Sequence, residues 1–392
     1  MIKRQDRTNW IDNLRSSVTL LVVAHHSSLA YTTFAYFNKQ AYITSTHPVV
    51  DTVRSRSMDL FEDFNDIFFM SLMFLISGLF IAPALRSKGV AVFIRDRFYR
   101  LFIPFAIGVT LLMLLAYYPA YYLAHGQHNL KDYIVDYFTV EAWPVGPPWF
   151  IWVLFLFNLV FALCYPAIGK YLTAPATFIA GLRERPLRLF FSWYLFTLIL
   201  YIPAILLVDP GKWTGIGPFD FQISRLALYF GYFLLGILIG VPGTGNGIFA
   251  ENTRFVRLWP AWIFAALVTY TLLKCSEGPL HRLIDHRQLS YFQASLLYRF
   301  VWSLSCTLSC IASLTTFRQL LNNTNTGWKS LSANAYGIYL VHYIPVIWCQ
   351  YLLLNYDLPA PVKFAITVVT AVALSWMATW LVRRNSIVKR YL

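Results

Sequence analysis

Four polar side chains share one face of the first apolar stretch, WIDNLRSSVTLLVVAHHSSLAYTTF. His26 follows Arg15 by eleven residues. As a helix, that interval is about 16 Å of rise and returns to within about 20° of the same direction. Asp12 stands about 40° to the other side of His26, and Thr19 lies between them, whereas His25 is turned well away. The interval predicts His26 near the middle of a bilayer. Ionisable groups at that depth are costly and mark function by default. They suit proton transfer, in catalysis or in proton-coupled transport. The plainer role is a hydrogen bond to a neighbouring helix or a backbone carbonyl.

Further constellations follow along the chain. In MDLFEDFNDIFFMSLMFLISGLF, Asp59, Glu62, Asp63 and Asp66 stand at i, i+3, i+4 and i+7 and predict an acidic helix face. Such a face is either a solvated helix end or the mouth of a site for a hydroxyl-rich ligand, with Asp66 deepest and Asp63 beside it. The next loop, LRSKGVAVFIRDRFYRLFIP, carries Arg86, Lys88, Arg95, Arg97 and Arg100. Arg95, Arg97 and Arg100 crowd more charge before a span than topology requires. Arginine's planar fork suits phosphate, and a nucleotide-like donor such as coenzyme A presents several. GPPWFIWVLF places Trp149 near one membrane face, where aromatic belts are common. SANAYGIYLVH places Tyr336, Tyr339 and His342 on one later helix, with His342 about as deep as His26. His342 is either a second polar group of a site or a packing histidine.

Elements able to hold such residues follow from composition. Of 392 residues, 58% are hydrophobic and 13% charged, far from the roughly 25% charged of soluble domains. Apolar runs of spanning length recur throughout, and in lipid such spans must be helical. The expected fold is all-α: a polytopic integral membrane bundle of about ten transmembrane helices, with residues 1–392 forming a single domain. The spans are expected at about 16–37, 61–82, 101–123, 147–169, 188–208, 225–241, 259–273, 294–317, 333–354 and 362–382. One set of flanking segments carries 21 Lys/Arg and the opposite loops nine, while acidic residues divide 5 against 13. Positive residues stay in the cytoplasm. Both termini are therefore expected there, in a multi-pass protein of the inner (plasma) membrane. The net charge of +14 is read as this topology signal and not as a nucleic-acid surface. Cys164, Cys275, Cys306, Cys310 and Cys349 form no CxxC pair, so neither a disulfide framework nor a metal site is expected. The first apolar run is too long for a cleavable leader. The longest loops, about 38–60, 124–146 and 274–293, are expected outside, where they would grip an acceptor or simply connect helices.

The segments IDNLRSSVTLLVVAHH, FFMSLMFLISGLF, RDRFYRLFIP, PPWFIWVLF and SANAYGIYLVH occur in that order over nearly the whole chain. Together they resemble the membrane acyltransferase-3 family, with the opening helix and the Ser-Gly segment most similar to its glucan biosynthesis protein C-like branch. The resemblance implies a ten-helix bundle that takes an acyl group, of acetyl or succinyl type, from cytoplasmic acyl-CoA to a hydroxyl of a cell-envelope carbohydrate. It implies an O-acyltransferase with no permanently bound cofactor, acyl-CoA as cosubstrate, a glycan acceptor and lipid as surroundings. The family's essential histidine maps to His26 and its arginine to Arg15. The family's Arg-x-x-Arg before a proline maps to Arg97 and Arg100, ahead of Pro104. The family often carries a histidine shortly before its Trp-Phe, but Pro148 stands there, which leaves the partner of His26 open. No serine-hydrolase-like extracytoplasmic domain is expected.

On this reading His26 is a general base on the acceptor hydroxyl, and Asp12 belongs to the same catalytic face. Arg15 polarises the thioester carbonyl or holds donor phosphate, while Arg95, Arg97 and Arg100 bind coenzyme A. Asp63, Asp66, Trp149, Tyr339 and His342 line the acceptor side. A covalent acyl-histidine relay stays open. The alternative is a transporter or flippase for a glycan or small solute. Against it, the sequence lacks the internal repeats that many transporters show.

Overall fold

The computed structural model describes residues 9–140, 143–243, 247–323 and 325–391, and these are almost wholly helical. The amino-terminal part holds α1 (Asn9–Ser28), α2 (Arg56–Gly78), α3 (Ile81–Lys88), α4 (Val90–Arg97), α5 (Ile103–Ile107) and α6 (Met113–His125). The middle holds α7 (Leu130–Thr139), α8 (Trp149–Ile168), α9 (Thr173–Gly181), α10 (Pro186–Leu207), α11 (Ile223–Gly240) and α12 (Arg254–Arg257). The carboxy-terminal part holds α13 (Trp259–Asp285), α14 (Tyr291–Leu320), α15 (Thr326–Val341), α16 (Tyr343–Leu353), α17 (Ala360–Val382) and α18 (Ser386–Tyr391). The one described sheet is a two-stranded ribbon, β1 (Trp213–Thr214) antiparallel to β2 (Phe221–Gln222), with Trp213 opposite Gln222.

Each expected span overlaps a helix, the first only in part. Seven helical stretches among the described residues are long and apolar enough to cross a membrane. The remaining three expected spans fall on α1, α13 and the α15–α16 pair, each for a visible reason. α1 carries the Asp12–Arg15–His25–His26 stripe, and α13 turns polar from Lys274 onward. The pair is interrupted at His342. Pro345 there has no N–H to offer the carbonyl of Val341, so the ladder breaks one turn after α15. α1 also lies earlier than the expected 16–37. Residues after Ser28 form a short 3₁₀ turn and then extended chain. His26 therefore sits in the last turn of α1 instead of at its middle.

Helix ends are set by local chemistry. Ser55 caps α2 and Asn325 caps α15 through their side-chain oxygens, while Ser290 and Gln293 form a reciprocal capping box at α14. The chain from α4 to α6 runs on through two π turns, Phe98–Phe102 and Gly108–Leu112. Such bulges re-phase side chains and often occur at functional sites.

Close packing of α2 against α11 depends on glycine. A Cβ at Gly78 would lie 2.2 Å from the Phe233 carbonyl oxygen. At Gly236 and Gly240 it would lie 2.1 Å from the Leu75 and Leu79 oxygens, respectively. This is the small-residue spacing that lets membrane helices touch backbone to backbone. It fixes α2, with its acidic residues, against the Arg225 end of α11.

Candidate active site

One cavity of about 530 Å³ gathers side chains from α1, α2, α6, α8, α11, α15, α16, the ribbon and the 38–55 loop. His25 and His26 enter it from α1, Glu62 and Asp66 from α2, and Tyr339 and Tyr343 from the α15–α16 joint. Trp143, Trp149 and Trp213 form an aromatic wall, with Trp149 and Trp213 perpendicular at 5.5 Å. The β-ribbon supplies Trp213 and Gln222, and Asp220 precedes its second strand.

The 38–55 loop closes one side. Its residues Ile43 to His47 line the cavity. The loop is anchored by a fully buried ion pair, Lys363 Nζ to Asp51 at 2.6 Å, and by Tyr42 Oη donating to Asp136 at 2.7 Å. His47 Nε2 meets Gln350 Oε1 at 2.8 Å, and Gln350 Nε2 donates to the carbonyls of His26 and Ser27 at 3.2 Å each. Burial pushes the His47 imidazole down to about 4, against the raising effect of the Gln350 bond, so the loop meets the cavity with an uncharged ring at neutral pH. Burial also raises the carboxyl of Asp220. In the cavity wall, Gly146 adopts φ +54°, a conformation that favours glycine, and a Cβ there would lie 2.6 Å from Met113 Sδ.

The hydrogen bonds around His26 determine its tautomer. Its Nδ1 lies 2.9 Å from the Val22 carbonyl oxygen and 3.3 Å from His342 Nε2. A carbonyl oxygen can only accept, so Nδ1 carries the proton. Nε2 has no protein partner among the described residues. Tyr343 packs edge-on against the ring, with centroids 5.3 Å apart. His342 is fully buried, and its Nδ1 lies 2.6 Å from the Tyr339 carbonyl oxygen. On the opposite flank, His25 Nε2 is 3.8 Å from Glu62, and Asp66 pairs with Arg225 at 2.7 Å. Arg225 is further held by the Asp66 carbonyl at 3.2 Å and by the face of Trp302 at 4.9 Å.

The structure brings His26, Asp66, Trp149 and Tyr339 to this cavity, with His342 directly behind His26. It does not bring Asp12 and Arg15 there. They pair with each other at 2.9 Å near the opposite end of α1, where Arg15 is half-exposed, and Thr19 donates to the Arg15 carbonyl. The acidic face of α2 also divides. Asp59 accepts from the Thr33 backbone and hydroxyl, and Asp63 faces Lys274 and Tyr270 at 3.2 Å each. Glu62 and Asp66 alone of the four line the cavity. His25, expected to turn away, lines it too, because the cavity wraps the end of α1 over more than one helix face.

The arginines lie elsewhere. Arg95 and Arg97 end α4, with Arg97 over the Phe93 ring at 4.9 Å, and Arg100 sits in the first π turn. α15 links that turn to the cavity. Tyr336 Oη donates to the Arg100 carbonyl at 2.6 Å, Tyr339 Oη donates to the Pro147 carbonyl at the cavity wall, and His342 reaches His26. Six residues separate the first and last of these contacts, about 9 Å of rise. His47, Gln350, Arg225 and Tyr343 were not singled out from sequence as site residues. Arg225 carries the clearest signal, a cation at the edge of an expected apolar span.

A family model described as an acyltransferase domain matches residues 8–380. No curated protein and no solved structure matches the chain.

Proposed function

The chain belongs to this acyltransferase family, and from that premise we propose that it transfers an acyl group from acyl-CoA to a carbohydrate hydroxyl, with His26 as the general base. The observation that carries the proposal is the His26 tautomer. Its Nδ1–H is committed to protein acceptors, and its other nitrogen is left with a lone pair at a cavity. That nitrogen can take the proton of a hydroxyl placed within about 3 Å of it. The hydroxyl oxygen then bonds to the thioester carbonyl carbon, the carbon–sulfur bond breaks, and the departing sulfur takes the proton from Nε2.

The surroundings suit both reactants. Indole and phenol faces at Trp149, Trp213 and Tyr343 offer flat apolar surface to a sugar ring, and Glu62, Asp66 and Asp220 accept hydrogen bonds from hydroxyls. Arg97 and Arg100 suit donor phosphates, and the α15 contacts run from their turn to His26. An acyl group on the long thioester arm of coenzyme A would reach the cavity from that side. Arg15, outside the cavity, is assigned to holding the donor and not to polarising the carbonyl. The cell envelope, the inner membrane and an external acceptor belong to this reading too. The transporter alternative gives way to the family assignment.

The test is thiol release from acetyl-CoA and succinyl-CoA by detergent-purified protein, with and without a neutral oligoglucan. The expected result is thiol release accompanied by acyl label on the glycan. Absence of thiol release and of label with both donors would contradict the proposal.

A further inference from the structure

The contact between His26 and His342 is fixed by two backbone carbonyls. The Val22 oxygen at 2.9 Å places the proton of His26 on Nδ1, and the Tyr339 oxygen at 2.6 Å places the proton of His342 on its own Nδ1. His342 Nε2 then bears a lone pair and faces His26 Nδ1–H at 3.3 Å. The pair is donor to acceptor, with the His26 proton shared between Val22 and His342.

We propose that His342 is a positioning residue for His26: a neutral imidazole that accepts the Nδ1–H bond, holds the ring in the tautomer that leaves Nε2 basic, and stabilises the imidazolium formed when Nε2 takes the acceptor's proton. The proposal rests on the reading of His26 as base. His342 has no part in binding substrate, because it does not line the cavity and both its ring nitrogens are engaged. A neutral orienter fits this place better than a carboxylate, since an ionised group so fully buried would need further partners. The joint between α15 and α16 delivers it. His342 is the residue between the two helices, with Pro345 breaking the ladder beside it. His342 takes up no proton itself. The proton moves from the acceptor oxygen to His26 Nε2 and on to the departing sulfur, while the Nδ1–H bond persists. Among the described residues, the other ionisable groups facing this pair are His25 on α1, Tyr339 on α15, Tyr343 on α16 and His47 on the loop.

Three substitutions separate orientation from packing: His342→Ala, His342→Phe, which fills space without accepting a bond, and His342→Gln, whose amide oxygen can accept. Purified variants are compared for transfer from acetyl-CoA to the oligoglucan. His342→Ala and His342→Phe are expected to lower kcat by about 10²-fold or more, within the range for impaired base catalysis, with KM for acetyl-CoA unchanged. His342→Gln is expected to recover a substantial part of kcat. Wild-type kcat in His342→Phe would overturn the proposal while leaving His26 as base. Should His342→Ala fail to fold, the Phe and Gln variants decide: equal loss in both overturns it. Wild-type kcat in His26→Ala would remove the base reading and this inference together.

Discussion

Residue identity counts here mainly through which atoms are already occupied. His26 and His25 are neighbours in sequence and both reach the cavity, but their partners differ. His26 has a backbone carbonyl and a second imidazole on Nδ1, whereas His25 has Glu62 at 3.8 Å, beyond hydrogen-bond length. The sequence pointed to His26 through its register with Arg15, yet the structure keeps Arg15 out of the cavity. Helical register reports direction and says nothing about how far along the helix a site extends. Pro148, where the family often has a histidine, left the partner of His26 open. His342, from the α15–α16 joint far along the chain, stands in contact with it, and no local pattern could have shown that pairing. For the donor, Arg97→Ala and Arg100→Ala are each expected to weaken acyl-CoA binding by about 1.5–3 kcal/mol, the value of a charge-assisted hydrogen bond. Lysine should rescue poorly where the contact is a planar fork. Calorimetric titration with a non-hydrolysable acyl-CoA analogue reads this directly. Normal binding by both alanine variants would reduce these arginines to topology signals.

Element boundaries were legible where hydrophobicity alone decides them and obscure where tertiary contacts do. α8, α10 and α17 match their expected spans within two residues at every end. α1 does not, because LAYTTFAYF is apolar enough to extend a helix but turns instead to meet the 38–55 loop. There, Asp51 N–H donates to the Ala30 carbonyl at 2.9 Å, as does Ser55 N–H to that of Tyr31. The break at His342 was likewise hidden in a run that reads as one span. Pro345 is its sequence mark. The α2–α11 contact has a sharper mark in Gly236 and Gly240, four apart on one helix. Gly240→Leu should push the Leu79 backbone away and destabilise the protein by about 1–3 kcal/mol or more, as overpacking does. Gly278→Ala on α13, where a Cβ meets nothing within 4 Å, should be close to neutral. Thermal unfolding in one detergent compares the two. Equal midpoints would mean that the glycine contact is dispensable.

At the scale of the whole molecule, an all-helical membrane fold was the most legible feature, since composition and repeated apolar runs are global properties that no single contact overturns. Orientation is a further expectation from the 21-to-nine division of Lys/Arg. A fluorescent reporter that matures only in the cytoplasm, fused after Leu392, should be bright. A dark fusion on well-expressed protein would contradict a cytoplasmic carboxy terminus. The arrangement that matters most for function is also molecular in scale: one chain folds α1, α2, α15 and the 38–55 loop around a single cavity, with the arginine turn held by Tyr336 of α15, six residues before His342. The central claim is that acyl transfer occurs in this cavity with His26 as base. The most direct measurement is transfer of labelled acetyl groups from acetyl-CoA to the oligoglucan by wild type, His25→Ala and His26→Ala at matched monodispersity. The account predicts that His26→Ala loses about 10²–10⁴-fold in rate, the range for loss of a general base, while His25→Ala loses markedly less. Wild-type rates in His26→Ala, or a greater loss in His25→Ala than in His26→Ala, would contradict it.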